Sequence, residues 1–330
     1  MNQQIATGHI MRCLSVADAL RGINEDVTFI LADEQAVMLL KERGYGSIVL
    51  NTKWDDMESE LSVISSIINK KQIKKLLIDS YQVTEKYLTQ LNKMVTTIYI
   101  DDLDKFDYPV HAVICYANYW KKFSYDLSNP DKKYYLGLEY VPLKKAFWDC
   151  DKKVIHKRAS NLLVLTGGSD PYNISGKLLD GIDINKFENI DVICGMYNKF
   201  YDDLVQRFGN DTNIRFHRAV NNIEDYMKKA DIAISAGGTT LYELCACGTP
   251  AISYSFVDNQ LDNVRQFAED GLIEYAGDIR EIDIVKPIKE IIDNYLIDPK
   301  MRENKSVAMQ KVIDGSGAKR IANVLYTINI

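Results

Sequence analysis

The chain has 330 residues, of which 46% are hydrophobic and 26% charged, as in an ordinary globular protein. Its net charge of −6 argues against a nucleic-acid partner or an anionic membrane surface. No apolar run of about 18 residues predicts a membrane span, and the first residues lack the pattern of a signal peptide. Six scattered cysteines without a Cys-x-x-Cys pair indicate reduced thiols, so we expect a cytoplasmic protein.

Short apolar runs alternate with amphipathic stretches, which predicts α/β domains built on parallel sheets. The predicted strands are Val27–Ala32, Ser47–Leu50, Lys75–Asp79, Thr97–Asp101, Ala112–Tyr116, Leu162–Thr166, Asp191–Cys194, Ile214–Phe216, Ile232–Ser235, Ala251–Tyr254 and Ile273–Tyr275. The predicted helices are Ile10–Arg21, Gln35–Arg43, Met57–Asn69, Glu85–Lys93, Asn173–Leu179, Phe200–Phe208, Ile223–Lys229, Leu241–Cys247, Gln260–Glu269, Asp283–Tyr295 and Ala318–Ile328. The charged stretch Pro142–Ser160 has no strand character, so we predict two domains, residues 1–150 and 151–330.

The most informative stretch begins at Ile234 and reads Ile-Ser-Ala-Gly-Gly-Thr-Thr-Leu-Tyr-Glu. It predicts a buried strand that passes through Gly237 and Gly238 into the N-terminus of a helix. Backbone N–H groups and the positive end of the helix dipole favour phosphate there. Thr239 and Thr240 can cap the helix or donate hydroxyls to the same anion. The alternative is an ordinary strand–helix turn with threonine caps.

Other polar residues follow predicted strands or open predicted helices. Glu243, one turn into its helix, is placed to accept hydrogen bonds from sugar hydroxyls. Asn259 and Gln260 open a helix and can bind sugar hydroxyls or acetamido groups; the alternative is that Asp258 or Asn259 caps that helix.

A second glycine loop, Gly167-Gly168-Ser169, follows a predicted strand. Its glycines permit a close backbone approach to a ligand, and Ser169 can help to hold phosphate. The alternative is a glycine turn in which Asp170 caps a helix with Pro171 in its first position.

Two residues of the first half are candidates for catalysis. His9 lies in the first turn of a predicted helix, where the dipole disfavours imidazolium and leaves a neutral ring that can accept a proton; the alternative is a histidine that caps the helix. Tyr81 follows a strand, at the carboxyl edge where α/β sheets bind ligands; the alternative is an aromatic cover for the sheet end. Asp101 and Asp102 point to opposite faces of a strand, so we predict no metal site and no cofactor.

Five segments carry a resemblance to a known family: residues 8–13 (Gly-His-Ile-Met-Arg-Cys), 100–103 (Ile-Asp-Asp-Leu), 166–171 (Thr-Gly-Gly-Ser-Asp-Pro), 237–260 and 314–320 (Asp-Gly-Ser-Gly-Ala-Lys-Arg). The segment at 237–260 resembles the donor half of the GT-B superfamily, which includes the lipid II-forming GlcNAc transferase. The five together look more like the UDP-sugar hydrolase of pseudaminic acid synthesis and its relatives among spore-coat polysaccharide proteins.

The resemblance implies a GT-B fold, with two Rossmann-like, doubly wound domains facing each other across a cleft. The N-terminal domain would act on the sugar and the C-terminal domain would bind UDP. It implies that His9 prepares water or assists departure of UDP, that Tyr81 lies near the sugar, and that Gly8 and Arg12 contribute to the substrate site. It also implies that uracil lies against the backbone near Met196.

The implied reaction is hydrolysis of UDP-2,4-diacetamido-2,4,6-trideoxy-β-L-altropyranose by a monomeric enzyme without a metal. Two alternatives remain open: a glycosyltransferase on the same scaffold, and a nucleotide-sugar binder without catalytic activity. Members of the family open with a strand and an Arg-x-Asp segment, whereas Met1–Thr7 has room for the glycine loop but not for a strand. That strand would be central in the first sheet, so we expect unpaired strand edges and favour a truncated or mis-assigned start over a new topology.

Overall fold

A computed structural model describes residues 8–328. The chain divides into two compact units, one formed by Met1–Lys145 with Gly315–Ile330 and the other by Ala146–Asp314. The boundary falls after residue 145 rather than after residue 150, and the last helix belongs to the first unit. The segment Met1–Thr7, in which no strand is predicted, lies outside the described residues.

The first unit contains two parallel sheets. One pairs β1 (Thr28–Leu31) with β2 (Gly46–Val49), and the other has the order β3-β4-β5-β6, with β3 (Lys75–Ile78), β4 (Thr96–Ile100), β5 (Ala112–Cys115) and β6 (Lys133–Leu136). The helices of this unit are α1 (Gly8–Arg21), α2 (Val37–Glu42), α3 (Leu61–Lys71), α4 (Glu85–Asn92) and α12 (Gly317–Thr327). Strand β6 is missing from the sequence prediction because Lys-Tyr-Tyr-Leu lacks the aliphatic run of a buried strand and lies at a sheet edge.

The last helix belongs to the first unit because α12 packs along α1. A Cβ atom on Gly317 would lie 2.1 Å from the carbonyl oxygen of Val141, so only glycine allows this approach. Lys75 donates from Nζ to the carbonyl oxygens of Leu325 and Tyr326, each at 2.7 Å, and ties the end of α12 to β3.

The second unit contains one parallel sheet of order β12-β11-β10-β7-β8-β9. Its strands are β7 (Asn161–Leu165), β8 (Asn189–Cys194), β9 (Ile214–Arg218), β10 (Ile232–Ala236), β11 (Ala251–Ser255) and β12 (Glu274–Asp278). Its helices are α5 (Ile174–Gly181), α6 (Tyr201–Phe208), α7 (Ile223–Lys229), α8 (Thr240–Cys247), α9 (Asp258–Glu269), α10 (Val285–Ile297) and α11 (Pro299–Val312). Helix α11 is missing from the prediction because its charged sequence has no clear apolar stripe.

The strand order of the second unit predicts where a ligand binds. From β7 the chain proceeds outward through β8 and β9, and from β10 it proceeds the other way through β11 and β12. Open α/β sheets bind ligands at the carboxyl ends of strands where the order reverses, which here is between β7 and β10. The predicted α/β class with parallel sheets is confirmed. In residues 8–328 no helix combines the length and the apolar character needed to span a membrane.

Candidate functional site

The two glycine loops flank the reversal point of the second sheet. Gly167-Gly168-Ser169 follows β7, and Gly237-Gly238-Thr239 follows β10, which is the neighbour of β7. The residues at 167–169 are exposed, whereas Gly237 is buried and Gly238 half-buried. The fold therefore brings together two of the loops that the sequence analysis singled out.

The loop after β8 touches the loop after β7. The amide of Tyr197 donates to the carbonyl oxygen of Gly168 at 3.1 Å. A Cβ atom on Gly195 would lie 2.2 Å from that same oxygen and 2.4 Å from the Cα of Gly168. Met196 lies at this junction with 60% of its surface exposed. Only glycine at position 195 allows the two loops to meet.

We expect Gly195→Ala to destabilise the protein by about 1–3 kcal/mol, because its methyl group overlaps backbone atoms that cannot rotate away. Gly168→Ala is the matched control for stability, since a Cβ at position 168 meets no atom within 4 Å. Thermal denaturation of both variants checks this prediction. Equal midpoints for the two would contradict the close contact.

The loop after β10, residues 237–239, leads directly into α8. A Cβ atom on Gly237 would lie 2.1 Å from Cγ1 of Val264, whereas a Cβ on Gly238 would meet nothing within 4 Å. Helix α8 begins at Thr240, and the side chain of Thr239 makes no cap hydrogen bond, so of the two roles considered for Thr239 the cap is wrong. The amides of Leu241 and Tyr242 donate to the carbonyl oxygens of Gly238 and Thr239, at 3.2 and 3.1 Å, so the amides of Thr239 and Thr240 are the donors that can bind an anion at this helix start.

The polar residues near α8 and α9 have different surroundings. Glu243 is half-buried in the first turn of α8. Gln260 accepts a hydrogen bond from the amide of Phe256 at 3.1 Å, which holds the turn before α9, and Asn259 is exposed. Helix α9 follows Val257 without a side-chain cap, so the alternative that Asp258 or Asn259 caps it is wrong.

The predicted helix cap at Asp170 is wrong in detail, because Asn173 caps α5 by accepting a hydrogen bond from the amide of Gly176, but Asp170 also holds the start of this helix. Its carboxylate accepts hydrogen bonds from the amides of Ile174 at 2.7 Å and Ser175 at 3.0 Å, at the start of α5. Pro171 precedes the helix by three residues and is not its first residue. The buried carboxylate of Asp170 therefore fixes the turn that presents Gly167, Gly168 and Ser169.

A separate cluster of polar side chains lies at the carboxyl ends of β3, β4 and β5 in the first unit. Asp79 follows β3, Asp102 lies just beyond β4, and Tyr116 follows β5. His9, in the first turn of α1 directly after Gly8, contacts Asp79, with 2.6 Å between Nδ1 and Oδ1. An ionised carboxylate can only accept a hydrogen bond, so we assign the ring proton to Nδ1. In that tautomer the lone pair is on Nε2.

Arg12 holds this cluster together from the next turn of α1. Its Nε donates to Asp79 at 2.5 Å, and its Nη1 donates to Asp102 at 3.2 Å and to Tyr116 at 2.6 Å. The Arg12 side chain is only 10% exposed. Burial alone raises the pKa of Asp79, but the hydrogen bond and charge of Arg12, with the hydrogen bond from His9, outweigh it and lower this pKa. Asp79 is therefore an anion that orients His9.

Tyr81 belongs to the same cluster and lies next to His9. The two rings meet edge to face with their centroids 4.5 Å apart, and the Tyr81 hydroxyl donates to Oδ2 of Asp102 at 2.9 Å. Burial, followed by the negative charge of Asp102, raises the pKa of Tyr81, so its hydroxyl stays protonated. The other carboxylate oxygen of Asp102 is buried and has no hydrogen-bond partner within residues 8–328.

The two adjacent aspartates lie as predicted, on opposite sides of the chain. Asp101 accepts hydrogen bonds from Tyr108 at 2.8 Å and Tyr125 at 2.5 Å, in the interior, whereas Asp102 faces Arg12. The sequence analysis missed Asp79 and Tyr116. Their position directly after apolar strands is the signal that could have identified them.

Comparison with known proteins agrees with this architecture. The family model described as "Glycosyl transferases group 1" matches residues 177–309. "Uncharacterized protein MJ1062" of Methanocaldococcus jannaschii is 23% identical over 265 residues, 76% of this chain and 53% of the relative. Spore coat polysaccharide biosynthesis protein SpsG of Bacillus subtilis is 26% identical over 201 residues, 59% of this chain and 58% of the relative.

A third relative is the Helicobacter pylori protein named "Pseudaminic acid cytidylyltransferase and UDP-2,4-diacetamido-2,4,6-trideoxy-beta-L-altropyranose hydrolase". It is 27% identical over 211 residues, 61% of this chain and 38% of the relative. The matches thus cover little more than half, or less, of these relatives' own lengths.

Among solved structures, MurG of Acinetobacter baumannii resembles this chain with a TM-score of 0.70 at 11% identity, over 98% of this chain and 97% of MurG. This likeness establishes the GT-B fold. The likeness to solved structures concerns the fold, and the similarity to glycosyl transferases extends over residues 177–309.

Proposed function

We propose that the protein hydrolyses a UDP-activated amino or deoxy sugar at the anomeric carbon and releases UDP. The observation that carries this proposal is the pairing of His9 with Asp79, which leaves Nε2 as a proton acceptor beside Tyr81. A histidine oriented by a carboxylate in this way is suited to general base catalysis. The proposal agrees with the resemblance of the five sequence segments.

The second unit is the proposed binding site for the nucleotide. The diphosphate would bind at Gly238–Thr240, with the amides of Thr239 and Thr240 as donors. The ribose hydroxyls would bind Glu243, and uracil would lie at the backbone near Met196. Support comes from the open space above Gly238 and from the reversal point of the sheet, where α/β folds bind such ligands. Gly167, Gly168 and Ser169 would add contacts to phosphate.

In the proposed reaction, water attacks the anomeric carbon as the bond to the leaving phosphate oxygen breaks. His9 takes the proton of water on Nε2, and the electron pair of the broken bond leaves with UDP. Backbone donors at the start of α8 would stabilise the charge that develops on the diphosphate. Asn259 and Gln260 would contribute further donors to the sugar.

The proposed substrate is UDP-2,4-diacetamido-2,4,6-trideoxy-β-L-altropyranose, the sugar nucleotide in the name of the Helicobacter pylori relative. The reaction would supply a free sugar for nonulosonic acid synthesis in the cytoplasm. We propose that the enzyme acts as a monomer.

A glycosyltransferase is the second candidate. The match of residues 177–309 to glycosyl transferases and the similarity to a spore-coat polysaccharide protein favour it. An acceptor hydroxyl would then replace water, and His9 could take its proton in the same way. A nucleotide-sugar binder without catalytic activity is the third candidate.

Purified protein incubated with UDP-sugars, with and without acceptor sugars, separates the three. Release of UDP and free sugar without an acceptor supports hydrolysis. Release that requires an acceptor supports transfer. Binding of UDP in calorimetry without turnover in either mixture would reject both enzymatic proposals.

A further inference from the structure

Two cysteines outside the candidate site lie against each other in the second unit. Cys247 is the last residue of α8, and Cys150 lies in the segment that leads to β7. The two thiols are free and share a side-chain hydrogen bond. The Cys150 thiol also reaches the carbonyl oxygen of Phe147, with 3.4 Å between the two atoms. The fold therefore brings together two thiols that lie far apart in sequence.

Gln310 of α11 holds the backbone next to both cysteines. Its Nε2 donates to the carbonyl oxygen of Asp151 at 2.9 Å and to that of Ala246 at 3.2 Å. Its Oε1 accepts a hydrogen bond from the amide of Lys153 at 3.1 Å. A Cβ atom on Gly248 would lie 2.7 Å from Cδ of Gln310 and would displace this amide. One side chain thus fixes the two chain segments that carry the cysteines against each other.

The two thiols differ in exposure. Cys150 is half-buried, so small molecules in solvent can approach it. Cys247 is only 2% exposed, and the neighbour that its sulfur meets is Cys150. A reagent that attacks this pair therefore reaches Cys150 first.

The surroundings of Cys150 favour its thiolate. The hydrogen bond from Cys247 lowers the pKa of Cys150 most, against the effect of burial. The charge of Lys228 lowers this pKa further, whereas Asp149 and Asp151 raise it. The other five cysteines, all in the part of the chain that the structure describes, have raised pKa values. Because the thiolate is the nucleophile, Cys150 is the most reactive of the six.

We propose that Cys150 and Cys247 are a redox-sensitive pair that a hydroperoxide converts into a disulfide, with Cys150 as the attacking thiol and Cys247 as the resolving thiol. The two sulfur atoms need only move from hydrogen-bond contact to a bond of about 2 Å. The structure describes residues 148–160 without helix or strand, so this segment can make the small shift.

The first step oxidises Cys150. Its thiolate attacks one oxygen of the hydroperoxide, and the O–O bond breaks. Cys150 becomes a sulfenic acid, and the other oxygen leaves with the electron pair and takes up a proton, as water or an alcohol.

The second step forms the disulfide. The sulfur of Cys247 attacks the sulfur of Cys150, the S–O bond breaks, and hydroxide leaves as water with the proton of Cys247. The charges of Lys228 and Lys153 favour the thiolate of Cys247 in this step. Over both steps the two thiols lose two electrons, which the hydroperoxide gains.

The test treats the full chain with hydrogen peroxide, blocks the remaining thiols with N-ethylmaleimide and maps the peptides by mass spectrometry without reduction. We expect a disulfide between Cys150 and Cys247 of one chain, about 2 Da lighter than the two thiols and reversed by dithiothreitol. Before oxidation, iodoacetamide at pH 7 should alkylate Cys150 on the order of tenfold faster than the other cysteines.

Three variants separate the two roles. Cys247→Ser should stop the reaction at the sulfenic acid of Cys150, which dimedone traps, and Cys150→Ser should leave Cys247 reduced. Cys245→Ala is the matched control, because Cys245 is buried on the same helix, and it should keep the disulfide. The wild type unfolded in urea should lose the preference for this pair, since the preference depends on the fold.

A disulfide in the wild type and in Cys245→Ala, with trapped sulfenic acid in Cys247→Ser, would support the proposal. Peroxide that leaves both thiols reduced, takes Cys150 to a sulfinic acid without a cross-link, or joins two chains would overturn it. Equal alkylation of all the cysteines, or oxidation of Cys247 in Cys150→Ser, would also overturn it. The readout uses no sugar nucleotide, so the result is independent of the proposed hydrolysis.

Discussion

Substitution His9→Ala should reduce UDP release by about 100- to 10,000-fold, the usual contribution of a positioned general base. The affinity for UDP should change little, because the proposed nucleotide contacts come from the second unit. His9→Asn is a sharper variant, since its amide can still donate to Asp79 but has no basic nitrogen in place of Nε2. Steady-state turnover together with calorimetric binding of UDP measures both effects.

His156→Ala is the matched control. His156 has a similar pairing, with 2.8 Å from its Nδ1 to Asp231, and its side chain is 59% exposed. It lies outside the cluster at His9, so its loss should leave turnover within about twofold, consistent with the small effects of most surface substitutions. Equal losses for His9→Ala and His156→Ala would refute a catalytic role for His9.

Substitution Arg12→Met should lower the free energy of unfolding by about 3–5 kcal/mol, because it leaves a buried carboxylate without its cation. The side chain of Asp79 is only 3% exposed, and Arg12 is its main source of compensating charge. Arg12→Lys keeps the charge but cannot reach Asp79, Asp102 and Tyr116 with one planar group, so we expect an intermediate loss. Urea unfolding at pH 7 measures these differences.

Arg21→Met on the same helix is the control for the loss of an arginine. Arg21 is 51% exposed and pairs with Asp18 at 2.7 Å. Exposed pairs contribute about 0–1 kcal/mol, so this variant should remain close to the wild type. Equal destabilisation by Arg12→Met and Arg21→Met would contradict a special role for the buried guanidinium.

The difference in stability between the wild type and Arg12→Met should depend on pH. In the wild type the pKa of Asp79 lies below its usual value, so its contribution to stability is present above about pH 4 and is lost as the pH falls through the folded value. In Arg12→Met burial raises the pKa of Asp79, and protonation then relieves the uncompensated charge. The stability gap between the two proteins should therefore narrow from pH 7 to pH 4.

The elements that the sequence predicted best are those whose signals are local. Helix α7 has the predicted bounds, Ile223–Lys229, and the glycine turn before α8 follows from a strand, two glycines and a helix start in one short stretch. Strand β6 and helix α11 escaped prediction because neither carries the apolar pattern on which such predictions depend. Their formation depends on neighbouring strands and helices that lie far away in sequence.

In the candidate site, too, local sequence predicted some residues but not the contacts between them. His9, Tyr81, Gly237 and Gly238 could be chosen from their local sequence, because each lies at a strand end or a helix start. The partnership of His9 with Asp79 joins residues 70 positions apart, and that of Arg12 with Tyr116 joins residues 104 apart. No local pattern encodes such pairs.

By itself, then, the sequence determined the α/β class, most of the strands and helices, and the glycine turns, since these follow from the periodicity of apolar residues and from backbone freedom at glycine. Only the tertiary structure decided that Asp79 orients His9, that Gly195 touches Gly168, and that Cys150 contacts Cys247. The physical reason is that strand order and helix packing bring these groups together, and both depend on burial summed over the whole unit.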